Sequence, residues 1–98
     1  MRALICGDTA AGIRGLQLAP LPQRGPLPSG SVRLRMHLAA VNPPDALMAQ
    51  GKYQVSPPVP FVLGIEGVAT VLEAGPGVTH LVEGQRVMAY LESGCFAD

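Results

Sequence analysis

Charged side chains make up only 14% of this sequence, with seven basic residues against seven acidic ones. A disordered tail needs the opposite balance, high charge and little hydrophobic content, so that class is excluded. The densest basic stretch is the alternation of Arg33 and Arg35, which gives no electrostatic footprint for nucleic acid. Long apolar runs are missing too. The opening Met1-Arg2-Ala3-Leu4-Ile5-Cys6-Gly7-Asp8 has too short an apolar run for a signal peptide, and nothing approaches the ~18–20 apolar residues of a membrane span. These absences lead us to expect a soluble cytoplasmic protein with neither membrane nor nucleic acid as partner. Cysteine is also scarce: Cys6 and Cys95 sit near opposite ends. Without an export signal they are expected as buried or incidental thiols, not a disulfide.

What the chain has in quantity is hydrophobic residues at 48%, with 12 glycines and 10 prolines. Its length of 98 residues suits one domain and a modest core, burying about 60–65% of the unfolded surface. Many turn residues and few charges point to short strands in a sandwich or barrel, not to a helical bundle.

Arg2 to Cys6 reads as a first strand and Leu16 to Ala19 as a second, after a turn-rich stretch from Gly7 to Gly15. Pro20 to Gly30, with four prolines and two glycines, reads as an exposed connection. Val32, Leu34, Met36 and Leu38 then alternate with Arg33, Arg35 and His37, a period of two that sets four apolar side chains on one face. His37 falls on the polar face and is expected in solvent.

Asn42-Pro43-Pro44-Asp45 can open a short helix near 44 to 50, because proline in the first turn lacks an amide that would be unbonded there anyway. Ala46 to Gln50 are good helix formers, and Gly51 is a natural left-handed stop. Three prolines stiffen Ser56 to Pro60, and a new strand opens at Gly64 with a β-rich run from Val68 to Leu72. A turn at Glu73 to Gly77 follows, then a strand from Arg86 to Leu91 and a further one beginning at Phe96.

Four segments together carry a family resemblance: Ala40-Val41-Asn42 with Asp45, Gly51-Lys52-Tyr53, Pro60-Phe61 with Gly64 and Glu66, and Val71 to Val78. In that order and spacing they resemble the N-terminal GroES-like domain of the medium-chain dehydrogenases/reductases, in the zinc-independent NADPH:quinone reductase branch. The resemblance covers nearly the whole chain. It implies a mainly β, partly open GroES-like barrel with one short helix, lacking the Rossmann domain. Zinc alcohol dehydrogenases of the superfamily carry a cysteine at the position of Asn42 and a histidine at that of Ile65. Catalytic zinc needs about three ligands of the Cys, His or carboxylate type, so no zinc site is expected here.

By resemblance, Asn42 projects its amide into the cleft beside the nicotinamide and the substrate, acting as both a catalytic and a cofactor-binding residue. Tyr53, the second catalytic candidate, lines the same cleft. Asp45 braces the helix, and Glu66 is expected to bond nearby backbone. Where the family shows Gly-Asp-Arg-Val, this chain has Gly84-Gln85-Arg86-Val87, which removes an acidic turn cap.

The implied function is that of the substrate and catalytic domain of an NADPH-dependent quinone or enone oxidoreductase. NADP is expected to bind mainly to a dinucleotide domain, which needs a Gly-x-Gly-x-x-Gly turn between strand and helix. Gly75-Pro76-Gly77 does not fit that pattern, so the 98 residues read as a truncated domain, inactive alone. The other reading is a non-enzymatic GroES-like interaction or dimerisation module. Open sheet edges and apolar surface around Met48, Tyr53 and Phe61 are expected to favour self-association.

Overall fold

The computed structural model describes residues 1–22 and 25–98, so Gln23 and Arg24, inside the expected exposed connection, lie outside the described residues. The chain forms β1 (Arg2–Cys6), a 3-10 segment (Thr9–Gly15), β2 (Leu16–Pro20), β3 (Val32–Ala39), α1 (Pro43–Ala49), β4 (Phe61–Val62), β5 (Glu66–Ala74) and β6 (Arg86–Tyr90). The strands make two three-stranded sheets, ordered β2-β1-β4 and β3-β5-β6, which do not close on one another. This is the mainly β, partly open arrangement with one short α-helix that the sequence implied.

Every named strand pair is antiparallel. β1 pairs with β2 from Arg2↔Pro20 to Cys6↔Leu16, and with β4 at Ile5↔Val62 and Cys6↔Phe61. The strand expected at Phe96 is a single bridge, Ala3↔Ala97. It is clasped by Asp98, whose N–H donates to Arg2 C=O at 2.9 Å while its Oδ1 accepts from Arg2 N–H at 2.6 Å.

The alternation expected along β3 holds for Leu34 and Met36, opposite the buried Val71 and Ala69, and fails at Leu38. A register shift falls between Met36 and Leu38, so Leu38 pairs with Val68 and is 74% exposed. One extra residue in a strand reverses the faces of all that follow it. His37 is exposed as expected, yet it does not stand alone: its Nε2 lies 2.6 Å from Thr70 Oγ1.

The main core lies where α1 meets β1 and β4, with Cys6, Met48, Ala49, Phe61 and Leu63 buried together and Tyr53, Ile65 and Phe96 packed around them. The expected apolar surface around Met48, Tyr53 and Phe61 is therefore corrected. Met48 and Phe61 are core residues and Tyr53 is half-buried, because α1 turns its apolar side onto β1 and β4. The four most exposed large apolar side chains lie elsewhere, at Leu38, Val41, Met88 and Tyr90. Gln85 supplies a turn bond despite replacing the family's acid, its Oε1 accepting from Val82 N–H at 3.2 Å.

Candidate functional site

The site is built at the entry of α1. Chain leaving β3 passes Ala40, whose N–H donates to Glu66 C=O at 3.3 Å, and reaches Asn42 in an extended conformation (φ −125°, ψ 158°). That backbone geometry is what a following proline imposes. Pro43 and Pro44 then fill the first two helical positions at no hydrogen-bonding cost.

Asp45 completes the turn. Its Oδ2 accepts from Asn42 N–H at 2.7 Å, and its own N–H donates to Asn42 C=O at 3.0 Å. The bracing role expected of Asp45 is therefore what the geometry gives. The carboxylate also satisfies a helix-start donor and sits favourably at the positive end of the helix. Asp45 is buried, only 4% exposed. Its Oδ1 and the Asn42 Nδ2 are both buried without a hydrogen-bond partner. An amide donor and a carboxylate acceptor are thus left unsatisfied within one helical turn. Such orphans are uncommon in folded proteins and each costs free energy, which makes this turn the most chemically unfinished place in the described chain.

Cys95 lies within electrostatic reach of this turn. The chain brings it there by three bonds: Cys95 N–H to Gly64 C=O at 3.0 Å, Phe96 N–H to Leu63 C=O at 2.8 Å, and Leu4 N–H to Phe96 C=O at 2.9 Å. Gly64 makes the crossing possible, having φ +100° and Phe96 so close that a Cβ would fall 2.5 Å from its ring. Burial pushes the Cys95 thiol up from its ordinary value, and the carboxylates of Asp45 and Glu66 push it further. Both cysteines are free and buried, as the sequence implied. Nothing in the sequence linked Cys95 to Asp45, since fifty positions separate them and no spacing rule spans that distance.

Tyr53 stands at the other end of the helix. Gly51, at φ +70°, stops α1, with its N–H donating to Met48 C=O at 3.0 Å and Lys52 N–H to Leu47 C=O at 2.8 Å. Tyr53 then packs against the core cluster. The seven residues of α1 span about 10 Å at ~1.5 Å per residue, so Asn42 and Tyr53 flank the helix and do not meet. Glu66 makes no hydrogen bond to backbone through its side chain among the described residues, contrary to expectation. Among those residues, no three or more His, Cys, Asp or Glu side chains are grouped to hold a metal ion.

Comparison with known proteins gives this geometry a context. Residues 28–97 match the family model described as the alcohol dehydrogenase GroES-like domain. Quinone oxidoreductase-like protein 2 of Rattus norvegicus is 37% identical over 87 residues, covering 89% of this chain and 24% of that protein. The crystal structure of the quinone oxidoreductase from Thermus thermophilus, solved also with NADPH, aligns with a TM-score of 0.78 at 29% identity over 99% of this chain and 28% of that one. Human synaptic vesicle membrane protein VAT-1 homolog-like protein aligns with a TM-score of 0.84 at 26% identity, over 98% and 30% of the two chains. The chain therefore spans about a quarter of the curated relative it matches. With the family model covering most of its residues and these strands in these positions, the chain belongs to the alcohol dehydrogenase GroES-like domain family, among the quinone oxidoreductase-like medium-chain dehydrogenases/reductases.

Proposed function

We propose that this chain is the substrate-side, catalytic domain of an NADPH-dependent oxidoreductase acting on a quinone or enone, working without zinc. The observation that carries the reading is the buried Asn42 Nδ2, a hydrogen-bond donor with no partner, held on a backbone that Asp45 fixes. A reduced nicotinamide, when bound, supplies a hydride to the electron-poor carbon of such a substrate. The part of this chain is to orient the acceptor. The Asn42 amide donates to the carbonyl oxygen on which negative charge develops, and it does so without titrating. Being positioned before the substrate arrives, it loses little freedom in doing so. Tyr53 contributes a ring face and a hydroxyl at the far end of α1.

The residues fit only one end of the dinucleotide. Asn42 can bond the carboxamide of a nicotinamide, but the Gly75-Pro76-Gly77 turn follows β5 and leads to no helix, so it offers no cradle for a pyrophosphate. We assign that task to a separate dinucleotide-binding domain, with the 98 residues inactive by themselves. The donor set speaks for zinc-free chemistry, since Asn42 and Ile65 offer no thiolate or imidazole.

The test is a titration of the chain with 2-cyclohexenone followed by nuclear magnetic resonance. The Asn42 side-chain amide signals are expected to shift first and furthest, and Asn42→Ala is expected to abolish saturable binding. Shifts confined to surfaces remote from α1, or binding unaltered in Asn42→Ala, would overturn the assignment.

A further inference from the structure

β6 is an edge strand: among the described residues it pairs with β5 alone. Leu91 N–H donates to Ile65 C=O at 2.7 Å and Gln85 C=O accepts from Val71 N–H at 2.8 Å, so the odd-numbered residues direct their amides and carbonyls at β5. In an antiparallel ladder the even-numbered residues then direct theirs outward, leaving Arg86, Met88 and Tyr90 with unpaired backbone groups along one edge. Their side chains share the outer face of the sheet, where Met88 is 85% and Tyr90 81% exposed. The entry of β6 is irregular, with Gly84 N–H and Gln85 C=O both bonded to Val71, but from Arg86 to Tyr90 the strand runs in unbroken register without a proline.

The strand and its exit read Arg86-Val87-Met88-Ala89-Tyr90-Leu91-Glu92, a sequence that is complementary to itself when reversed. Paired antiparallel about a two-fold axis at Ala89, each Arg86 faces Glu92 of the other copy, each Val87 faces Leu91 and each Met88 faces Tyr90. Parity agrees, because that register sets even residues against even residues and so joins the outward amides and carbonyls in bonded pairs. Neither Arg86 nor Glu92 has an ion partner among the described residues. The apolar row Leu38-Val68-Met88 of one copy runs on into Tyr90 of the next. Equal numbers of acidic and basic residues leave no net repulsion to oppose contact.

We infer that the β6 edge is a homotypic docking surface, joining two copies of this chain into a continuous six-stranded sheet with Ala89 on the axis. This rests on the strand and not on the redox reading. The five residues of β6 span about 17 Å, a small interface, so association belongs to the weak, concentration-dependent class.

Sedimentation velocity over a wide concentration range, with charge-reversed variants, tests the register. The chain is expected to pass from monomer to dimer, and Arg86→Glu and Glu92→Arg are each expected to weaken association about tenfold by setting like charges opposed at two symmetric positions. The double variant R86E/E92R restores both pairs and is expected to return to within about threefold of the parent. Circular dichroism confirms the fold of each variant, and amide exchange at Met88 and Tyr90 is expected to slow as concentration rises. A monomer at every concentration, a dimer indifferent to R86E, or a double variant as weak as the singles would overturn the proposal.

Discussion

Asp45 holds Asn42 from three residues away: its Oδ2 accepts the Asn42 backbone N–H at 2.7 Å, while its other oxygen and the Asn42 amide nitrogen stay buried and unpartnered. One bond fixes where Asn42 sits, and two polar atoms of the same turn stay buried without a hydrogen-bond partner.

Asp45→Ala removes the acceptor for a helix-start amide and leaves that half-buried N–H unpaired. The expected cost is about 1–3 kcal/mol, read as a lower urea midpoint at unchanged slope. Asp45→Asn keeps an acceptor oxygen and is expected to recover part of the loss. Equal midpoints for D45A and the parent would refute the bracing role.

Asn42→Ala is the complementary test. It removes the orphaned Nδ2 donor, which relieves a desolvation penalty, and it also removes the side-chain oxygen that faces the Asp45 N–H in the capping box. The expected net change is a loss of about 0.5–1.5 kcal/mol, with enone binding abolished. Full retention of enone binding in a folded Asn42→Ala chain would refute the assignment.

Cys95 predicts a pH dependence. Burial, then Asp45 and Glu66, raise its folded pKa above the ordinary 9.0. Below that value the thiol is neutral in folded and unfolded chains alike, and its contribution to stability is fully present. As pH climbs from about 9.0 through the folded pKa, the unfolded thiol ionises first, so stability falls. Denaturation midpoints of the parent should therefore drop between neutral and strongly alkaline pH more steeply than those of Cys95→Ala. Parallel curves for the two would contradict it. Alkylation of Cys95 should likewise be slow until the chain unfolds.

Gly64→Ala tests the crossing that brings Cys95 to the site. The substituted residue would have to hold φ +100° with its Cβ 2.7 Å from the Phe96 backbone nitrogen. Left-handed strain and overpacking together are expected to cost about 2–4 kcal/mol, visible in thermal unfolding. Gly77 has a comparable φ of +83° but open space around it, so Gly77→Ala should cost only the backbone share. Equal losses at the two positions would refute the role of the Phe96 contact.

Much of this architecture was legible in the sequence because local rules decide it. The Pro-Pro entry and Gly51 exit of α1, and the alternation along β3 as far as Met36, follow from backbone chemistry within a few residues. What could not be read depends on pairing. The bulge at His37 exists only relative to β5, and it reverses Leu38 without any local mark. The stretch from Gly7 to Gly15 reads as turns, and most of it winds into a 3-10 segment that N-caps on Asp8, whose side chain accepts from Ala10 N–H at 2.9 Å. Burial of Met48 and Phe61 follows from where α1 lands, which no periodicity in a seven-residue helix can specify. At the entry of α1, the brace at Asp45 was legible from the motif. The approach of Cys95 was not, because it is a product of the tertiary crossing at Gly64, and neither was the orphaned amide, because its burial depends on tertiary packing around Asn42.

The central claim is that this chain holds the substrate end of a redox site and leaves the dinucleotide to a separate domain. The most direct measurement is a calorimetric titration of the 98-residue chain with NADPH. The account predicts no saturable heat in the micromolar range, with the enone-dependent shift at Asn42 unchanged by the cofactor. Saturable micromolar binding of NADPH by the chain alone would contradict it.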